Sequence, residues 1–289
     1  MILSFHPCFN GDKNIICAGR APTEDDLNLI RSADAVILPQ GCNESLYKLA
    51  KKNCKSVFPN YDARFKYPGK IGQIELFNKM EAPFPETRIF KNTKAFFRHS
   101  KSNDRLFSNF PVVFKFDWGG EGEFVYLIES FKHLKDIIGL AKNYERSGQK
   151  GFLMQQHIVN QERTLRVVVI HNRMISYWRV QKEKGFYSNV SKGASIDAHS
   201  DPELMLKAKN KVWEFCKKTK INLAGFDIIF SNESKYSEPL FLEINYFFGR
   251  KGLGGSKKYY AMLNREIITW INGPIHNRNR RNTYKKRTP

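Results

Sequence analysis

The feature that most limits the folds open to this chain is a change of texture near residue 70. Before it, short apolar runs (MILSF, NIICA, AVILP, SVFPN) alternate with helical patterns (TEDDLNLIRSA, NESLYKLAKKN). Parallel strands need a long crossover between them, and an intervening helix supplies one. Residues 1–68 are therefore expected to form a small parallel α/β unit. Thr23, followed by Glu24, Asp25 and Asp26, predicts a capped helix start with acids at the positive end of the helix dipole.

From YPGKIGQIELFNKMEAPFPETRIF onward the pattern differs: a helix over about 70–80 stops before Pro83 and Pro85, and strands then arrive in consecutive pairs. PVVFKF is followed by EFVYLI, and FLMQQHI by LRVVVI and MISYWRV, which implies antiparallel pairing. The spacing predicts helices over 130–149 and 202–219, the second with Asp201 as N-cap, Pro202 at its first position and Ala208, Val212 and Phe215 or Cys216 as its apolar stripe. Two apolar strands, NLAGFDIIF and PLFLEIN, and a last helix over 256–271 complete the pattern. The fold class is α/β, turning α+β in the C-terminal part.

Composition narrows the setting. The chain has 41% hydrophobic and 26% charged residues, as in a globular protein with a sizeable core. No apolar stretch reaches the roughly 18 residues of a membrane span, and MILSFHPCFNGDKN lacks a signal-peptide layout, so a cytoplasmic protein without membrane contact is expected. Cys8, Cys17, Cys42, Cys54 and Cys216 are scattered and include no CxxC pair, which points to reduced thiols. The formal charge is +20; without the six cations of the 275–289 tail it is still +14. Such a field suits polyanions such as nucleotides, acidic peptides, RNA or the ribosome, and equally suits a solvated basic surface with a flexible tail.

Two groups of residues carry chemistry. In FKFDWGGEGEFVYLI, Gly119, Gly120 and Gly122 lie between two strands, with Lys115 on the first. A glycine hairpin can close its N–H groups over phosphates while the lysine neutralises them, although an ordinary hairpin has the same sequence. No Gly-Lys-Ser/Thr follows, so this is not a Walker loop. The second group is Asp227, Glu243 and Asn245. Glu243 and Asn245 share one strand face, with Leu242 and Ile244 on the other, and pairing of the two strands puts Asp227 opposite or beside Glu243. Oxygen ligands converging in this way suit Mg²⁺ held together with nucleotide phosphates; polar residues on a hairpin edge are the plainer alternative.

The order lysine strand, glycine loop, helix, QQHI, RTLRVVVI, YWRV, FYSNVSKGA, GFDII and LEIN resembles that of ATP-grasp enzymes, and within them the RimK-like glutamate ligases. The resemblance spans roughly 67–255. It implies an ATP-grasp domain over 69–274, with two subdomains clamping ATP and the first ending near 157, preceded by the 1–68 α/β domain and followed by the tail. By resemblance, Lys70 and Lys115 contact ATP phosphates under Gly119, Gly120 and Gly122. Gln155, Gln156, His157 and Ile158 form the hinge that holds adenine, and Asn189 is a phosphate-side asparagine. Arg166 and Arg179 face the γ-phosphate and acyl phosphate, and Asp227, Glu243 and Asn245 hold one or two Mg²⁺ ions, or Mn²⁺. Thr164 stands where relatives carry an aspartate.

After LEIN the family's small-Pro-Gly turn is replaced by Tyr246, Phe247, Phe248 and Gly249, followed by RKGLGGSKK. Gly249, Arg250 and Lys251 are therefore expected to select an acidic substrate, with a glycine-rich turn that merely links strand to helix as the plainer alternative. The resemblance implies an ATP-dependent carboxylate–amine ligase working through an acyl phosphate on an amino acid or acidic peptide. This fits the lack of a Ser-His-Asp or Cys-His arrangement among the scattered histidines. An ATP-grasp kinase acting on a small molecule, or a basic RNA- or ribosome-binding protein with a vestigial nucleotide site, are the alternatives; a homo-oligomer is left open.

Overall fold

A computed structural model of the chain describes residues 1–99, 110–120, 122–159, 163–181, 194–231 and 238–273. Asn189 and the 275–289 tail lie outside the described residues. The first unit runs β1 (Ile2–Ser4), β2 (Lys13–Asn14), α1 (Glu24–Ser32), β3 (Ala35–Ile37), α2 (Glu44–Asn53), β4 (Val57–Phe58) and α3 (Asp62–Lys66). Its four strands pair in the order β2-β1-β3-β4, all parallel, as alternation with helices requires. The strand expected over NIICA does not form over its apolar residues: β2 is Lys13–Asn14, Ile16 is 72% exposed, and the chain turns away through positive φ at Ala18 and Gly19.

The Thr23 cap forms with its reciprocal partner. Thr23 Oγ1 accepts from the Asp26 N–H, and the Asp26 carboxylate accepts from the Thr23 N–H at 2.8 Å and from Arg20. Thr23→Ala is expected to cost about 1 kcal/mol, read as a small drop in the denaturation midpoint. No change would show that Asp26 and Arg20 hold the helix start without it.

The chain continues with α4 (Gly69–Lys79), β5 (Thr87–Phe90), α5 (Thr93–His99), β6 (Val112–Phe116), β7 (Val125–Ile128), α6 (Phe131–Arg146) and β8 (Phe152–Gln156). β5, β8, β6 and β7 form an antiparallel sheet in that order. α6, capped by Ser130, covers one face through Leu134, Ile137, Ile138 and Ala141, packed on Phe114 and Phe152. β9 (Arg163–Ile170), β10 (Arg173–Val180), β11 (Ser195–Asp197), α7 (Pro202–Thr219), β12 (Leu223–Ile229), β13 (Leu240–Asn245) and α8 (Gly255–Ile271) follow. Their strands form a second antiparallel sheet, β11-β10-β9-β12-β13.

α7 buries the expected stripe of Ala208, Val212, Phe215 and Cys216 against this second sheet, where Phe77, Phe215, Phe226 and Phe241 meet ring to ring. Its start falls where expected, with Pro202 first in the helix, but lacks a capping bond. Asp201 occupies the N-cap position in the left-handed region, φ 48°, and makes no capping bond, because its carboxylate pairs with Arg163 at 2.7 Å. α8 joins the units: Tyr259, Leu263 and Ile267 pack on Val168 and Ile170 of β9 and on Ile37 and Phe58 of the parallel sheet. All five cysteines are free thiols, four of them buried. Among the described residues no helix is long and apolar enough to cross a membrane.

Candidate active site

The two antiparallel sheets face each other across a cavity of about 620 Å³. On β6 and β7 alternate residues line it, as the pleat dictates. Val113 and Lys115 come from β6, Val125 and Leu127 from β7, and Leu153 and Gln155 from β8. Opposite them stand Thr164 of β9, Arg179 of β10, Asp227 and Ile229 of β12, and Leu242 and Glu243 of β13. The apolar residues make two walls between which a flat ring system can lie; Lys70, Lys115, Asp227 and Glu243 form a charged end, close enough to act on one another.

That charged end is set by register. Tyr177, Arg166, Asp227 and Glu243 are directly opposite one another across β10, β9, β12 and β13. A β-bulge produces the last pairing: Ile228 pairs with Phe241, whereas Asp227 pairs with Glu243, so Leu242 is the extra residue. It also corrects one expectation. Ile244 points into the core as its alternation requires, but Leu242 does not share that face; it borders the cavity beside Glu243.

Asp227 is the hub of this row. It accepts from Arg166 Nε and from Arg166 Nη2 at 3.1 Å, pairs with Arg179 Nη2 at 2.9 Å, and accepts from Asn245 Nδ2 at 3.1 Å. Arg166, Arg179 and Asp227 are each under 10% exposed. Burial alone would raise the Asp227 pKa, but the two guanidinium groups hold the carboxyl below the usual range. Burial also pulls both arginines down. Asp227 more than offsets this for Arg166, which it binds twice, and not for Arg179, which it binds once; both stay charged. Arg179 spends two further donors on Thr164 Oγ1, at 3.2 and 2.8 Å, so the threonine has become part of the arginine's mount. Gly225 makes room for this packing: a Cβ there would sit 3.1 Å from the Arg166 side chain.

Glu243 keeps some surface open to the cavity, yet its carboxyl is enclosed by protein. Lost solvation and the charge of Asp227 raise its pKa, against the pull of Lys115 and Lys70. Across the cavity Lys115 Nζ donates to Gln155 Oε1 at 2.7 Å, and Gln155 Nε2 donates to Thr87 Oγ1 at 2.9 Å. Lost solvation brings the Lys115 pKa down to about 8, with Glu243 opposing the shift. Lys70 donates to the carbonyls of Trp118 and Gly119, at 2.7 and 3.1 Å, while bordering the same cavity.

The other expected residues fall in different places. His157 and Ile158 border the cavity, and Gln155 does so with its side chain committed to Lys115. Gln156 also borders it, with its N–H bonded to the Glu86 carbonyl. Of the glycines, Gly122 reaches the cavity, while Gly120 closes the turn by accepting from the Glu123 N–H. Gly249, Arg250 and Lys251 are not among the cavity-lining residues. The Arg250 guanidinium lies 4.6 Å from the Tyr260 ring centre, on the side of α8 where His6 packs edge-on to Tyr260. Sequence reasoning missed Glu129 and Gln181, which border the cavity; their only signal is the two-residue spacing from Leu127 and Arg179.

Comparison with known proteins places this geometry. Among solved structures, a RimK-domain ATP-grasp protein from Sphaerobacter thermophilus superposes with a TM-score of 0.62 at 14% identity, covering 92% of this chain and 98% of that one. An N5-carboxyaminoimidazole ribonucleotide synthetase from Thermotoga maritima gives 0.62 at 18% identity, over 94% and 69%. A D-Ala:D-Ser ligase from Enterococcus faecalis gives 0.58 at 15%, over 82% and 73%. A curated Mycoplasma pneumoniae protein is 24% identical over 138 residues, 47% of this chain, and the match spans 43% of that relative's length. Residues 69–271 match the RimK-like ATP-grasp domain, and the chain belongs to that family.

Proposed function

We propose that this protein is an ATP-dependent carboxylate–amine ligase that works through an acyl phosphate. The observation that carries the reading is the Arg166–Asp227–Glu243 row with Arg179 and Asn245, facing Lys115 and Lys70 across an apolar-walled cavity. Adenine would lie between Val113, Leu127 and Leu153 on one side and Ile229 and Leu242 on the other, with His157 and Ile158 at its edge. The phosphates would then run toward Lys115, Lys70 and the arginines. In this reading the division into 1–68, a clamp over 69–274 parting near 157, and a tail is the domain plan.

The residues present fit a divalent cation. Asp227 and Glu243 are opposed carboxylates on paired strands, both bordering the cavity, and lost solvation together with the charge of Asp227 raises the Glu243 pKa. Asn245 adds an amide oxygen, and an all-oxygen set suits Mg²⁺. When bound, Mg²⁺ would draw negative charge from the β- and γ-phosphates.

This chain's own groups then act as follows. Lys115 and Arg179 neutralise the γ-phosphoryl oxygens while a substrate carboxylate oxygen attacks phosphorus and the bond to ADP breaks. The amine nitrogen next attacks the acyl carbonyl carbon, the nitrogen loses a proton, and phosphate departs. Arg179, fixed by Thr164 and Asp227, is the donor placed to stabilise the oxyanion. The test is product analysis: ADP and phosphate release screened against pools of amino acids, peptides and polyamines, with mass spectrometry of products. Release that needs both a carboxylate and an amine supports a ligase. Release with a hydroxyl compound alone, giving its phosphate ester, supports a kinase.

Affinity should depend on pH through Lys115. Below pH about 8 its ammonium is present before ligand arrives; above it, phosphate binding must first restore the proton. MgATP affinity is therefore expected to fall as pH rises through about 8, by calorimetric titration. The Lys115→Gln variant should bind more weakly and lose that dependence. A wild-type affinity that stays flat between about pH 7 and 9 would contradict the assignment.

A further inference from the structure

Outside the catalytic row lie a second, smaller cavity, the exposed face of α7 and the Arg250–Tyr260 stack, but the densest unexplained bonding is at the start of α4. This helix has an unusual beginning. Its N-cap residue is Pro68, which offers no side-chain acceptor, and its first turn contains no acid. Uncapped, the first N–H groups of a helix lack partners.

Here the partner comes from 46 residues away. Asp117 Oδ1 accepts from the Ile71 N–H at 2.8 Å, and the Asp117 carbonyl accepts from the Lys70 N–H at 3.2 Å. Gly69, at φ +69°, is the residue that permits this approach, since a Cβ on it would collide with the Asp117 carboxylate. Asp117 is tied in turn to the segment before β8, through its own N–H to the Gly151 carbonyl at 3.2 Å.

The position of Asp117 gives the clasp its consequence. It stands two residues after Lys115 and two before Gly119, so one side chain joins the lysine strand and the glycine turn to the helix that carries Lys70. The result is visible at the tip of Lys70, whose Nζ reaches the carbonyls of Trp118 and Gly119 and keeps one of its three donors for a ligand. An ammonium on a four-carbon stem costs entropy to hold in one place unless its backbone is fixed. We propose that Asp117 is a positioning residue, which caps α4 from outside the helix and thereby sets Lys70 against the glycine turn at the nucleotide site. The inference rests on the ligase reading insofar as Lys70 meets ATP phosphates.

The experiment compares the full-length wild type with Asp117→Ala, Asp117→Asn, Gly69→Ala and Ser130→Ala. Ser130→Ala removes an N-cap of similar worth from α6, whose residues do not line the cavity although the preceding Glu129 does. Two readouts are taken: MgATP affinity by calorimetry, and the rate at which each lysine is acylated by acetic anhydride, by peptide mass spectrometry. Asp117→Ala and Gly69→Ala are expected to weaken MgATP about tenfold or more and to change Lys70 labelling several-fold relative to the other lysines. Asp117→Asn, which keeps an acceptor oxygen, should return most of both. Ser130→Ala should lower the denaturation midpoint while leaving both readouts at wild-type values. Unchanged Lys70 labelling in Asp117→Ala and Gly69→Ala, or an equal change in Ser130→Ala, would overturn the proposal. A wild type that fails to bind MgATP would count against the ligase reading, and the labelling arm would still decide the clasp.

Discussion

Asp227→Asn is expected to destabilise the protein by about 3–5 kcal/mol, because it leaves two buried guanidinium groups without the carboxylate that both share. Removing one partner of a buried ion pair costs far more than an exposed pair is worth, since the remaining charge has neither water nor a counterion. Here the loss is doubled in kind: Arg166 and Arg179 are 7% and 6% exposed, and the substituted amide would offer one acceptor oxygen to donors that now use two. Glu243, across the strand, offsets only part of this. The denaturation midpoint should fall by about 10 °C or more. A variant that melts within a degree or two of the wild type would show that Glu243 has taken over as counterion, and the hub role of Asp227 would be wrong.

Glu243→Gln should do the opposite to stability and more to turnover. Its carboxyl has a folded-state pKa above the unfolded value, so ionising it weighs against the fold; stability from this group is greatest below the unfolded pKa and declines as pH rises toward the folded one. Glutamine keeps the shape and removes the charge, so the midpoint is expected to stay level or rise. ADP formation should fall by at least about 10²–10³-fold, the scale on which an electrostatic group at a reacting phosphate acts. MgATP should raise the midpoint of the wild type and hardly move that of the variant. Full turnover in Glu243→Gln would remove this carboxylate from the site.

The two variants sit side by side in one row, and the sequence makes the row half-legible. Asp227, Glu243 and Asn245 stand out because acids are costly inside apolar strands, and the hairpin expected to join them forms. The bulge that brings Asp227 level with Glu243 has no mark of its own, since Leu242 looks like any other strand leucine. The sharing of Asp227 by Arg166 and Arg179 depends on β9 pairing with β12, segments about sixty residues apart, which local pattern does not encode.

Helices with local signals, such as α1 at Thr23 and α6 at Ser130, begin where the sequence places them. α4 is legible by its apolar run although its cap is not local. Asp201 looks like a cap and serves Arg163 instead, because an ion pair across the fold outweighs a bond to its own helix. Nearness in sequence to Asn245 points Arg250 toward the substrate, yet its stacking on Tyr260 follows from how α8 packs on the parallel sheet.

The central claim, activation of a carboxylate as its acyl phosphate, is tested most directly by trapping. The protein is incubated with MgATP, pooled amino acids or acidic peptides as carboxylates, and hydroxylamine as the amine, and ADP and hydroxamate are both quantified. The account predicts ADP release that requires a carboxylate, hydroxamate and any amide product together equal in amount to the ADP, and neither ADP nor hydroxamate with Glu243→Gln. ADP formed without any carboxylate, accompanied by a phosphorylated hydroxyl compound, would contradict it.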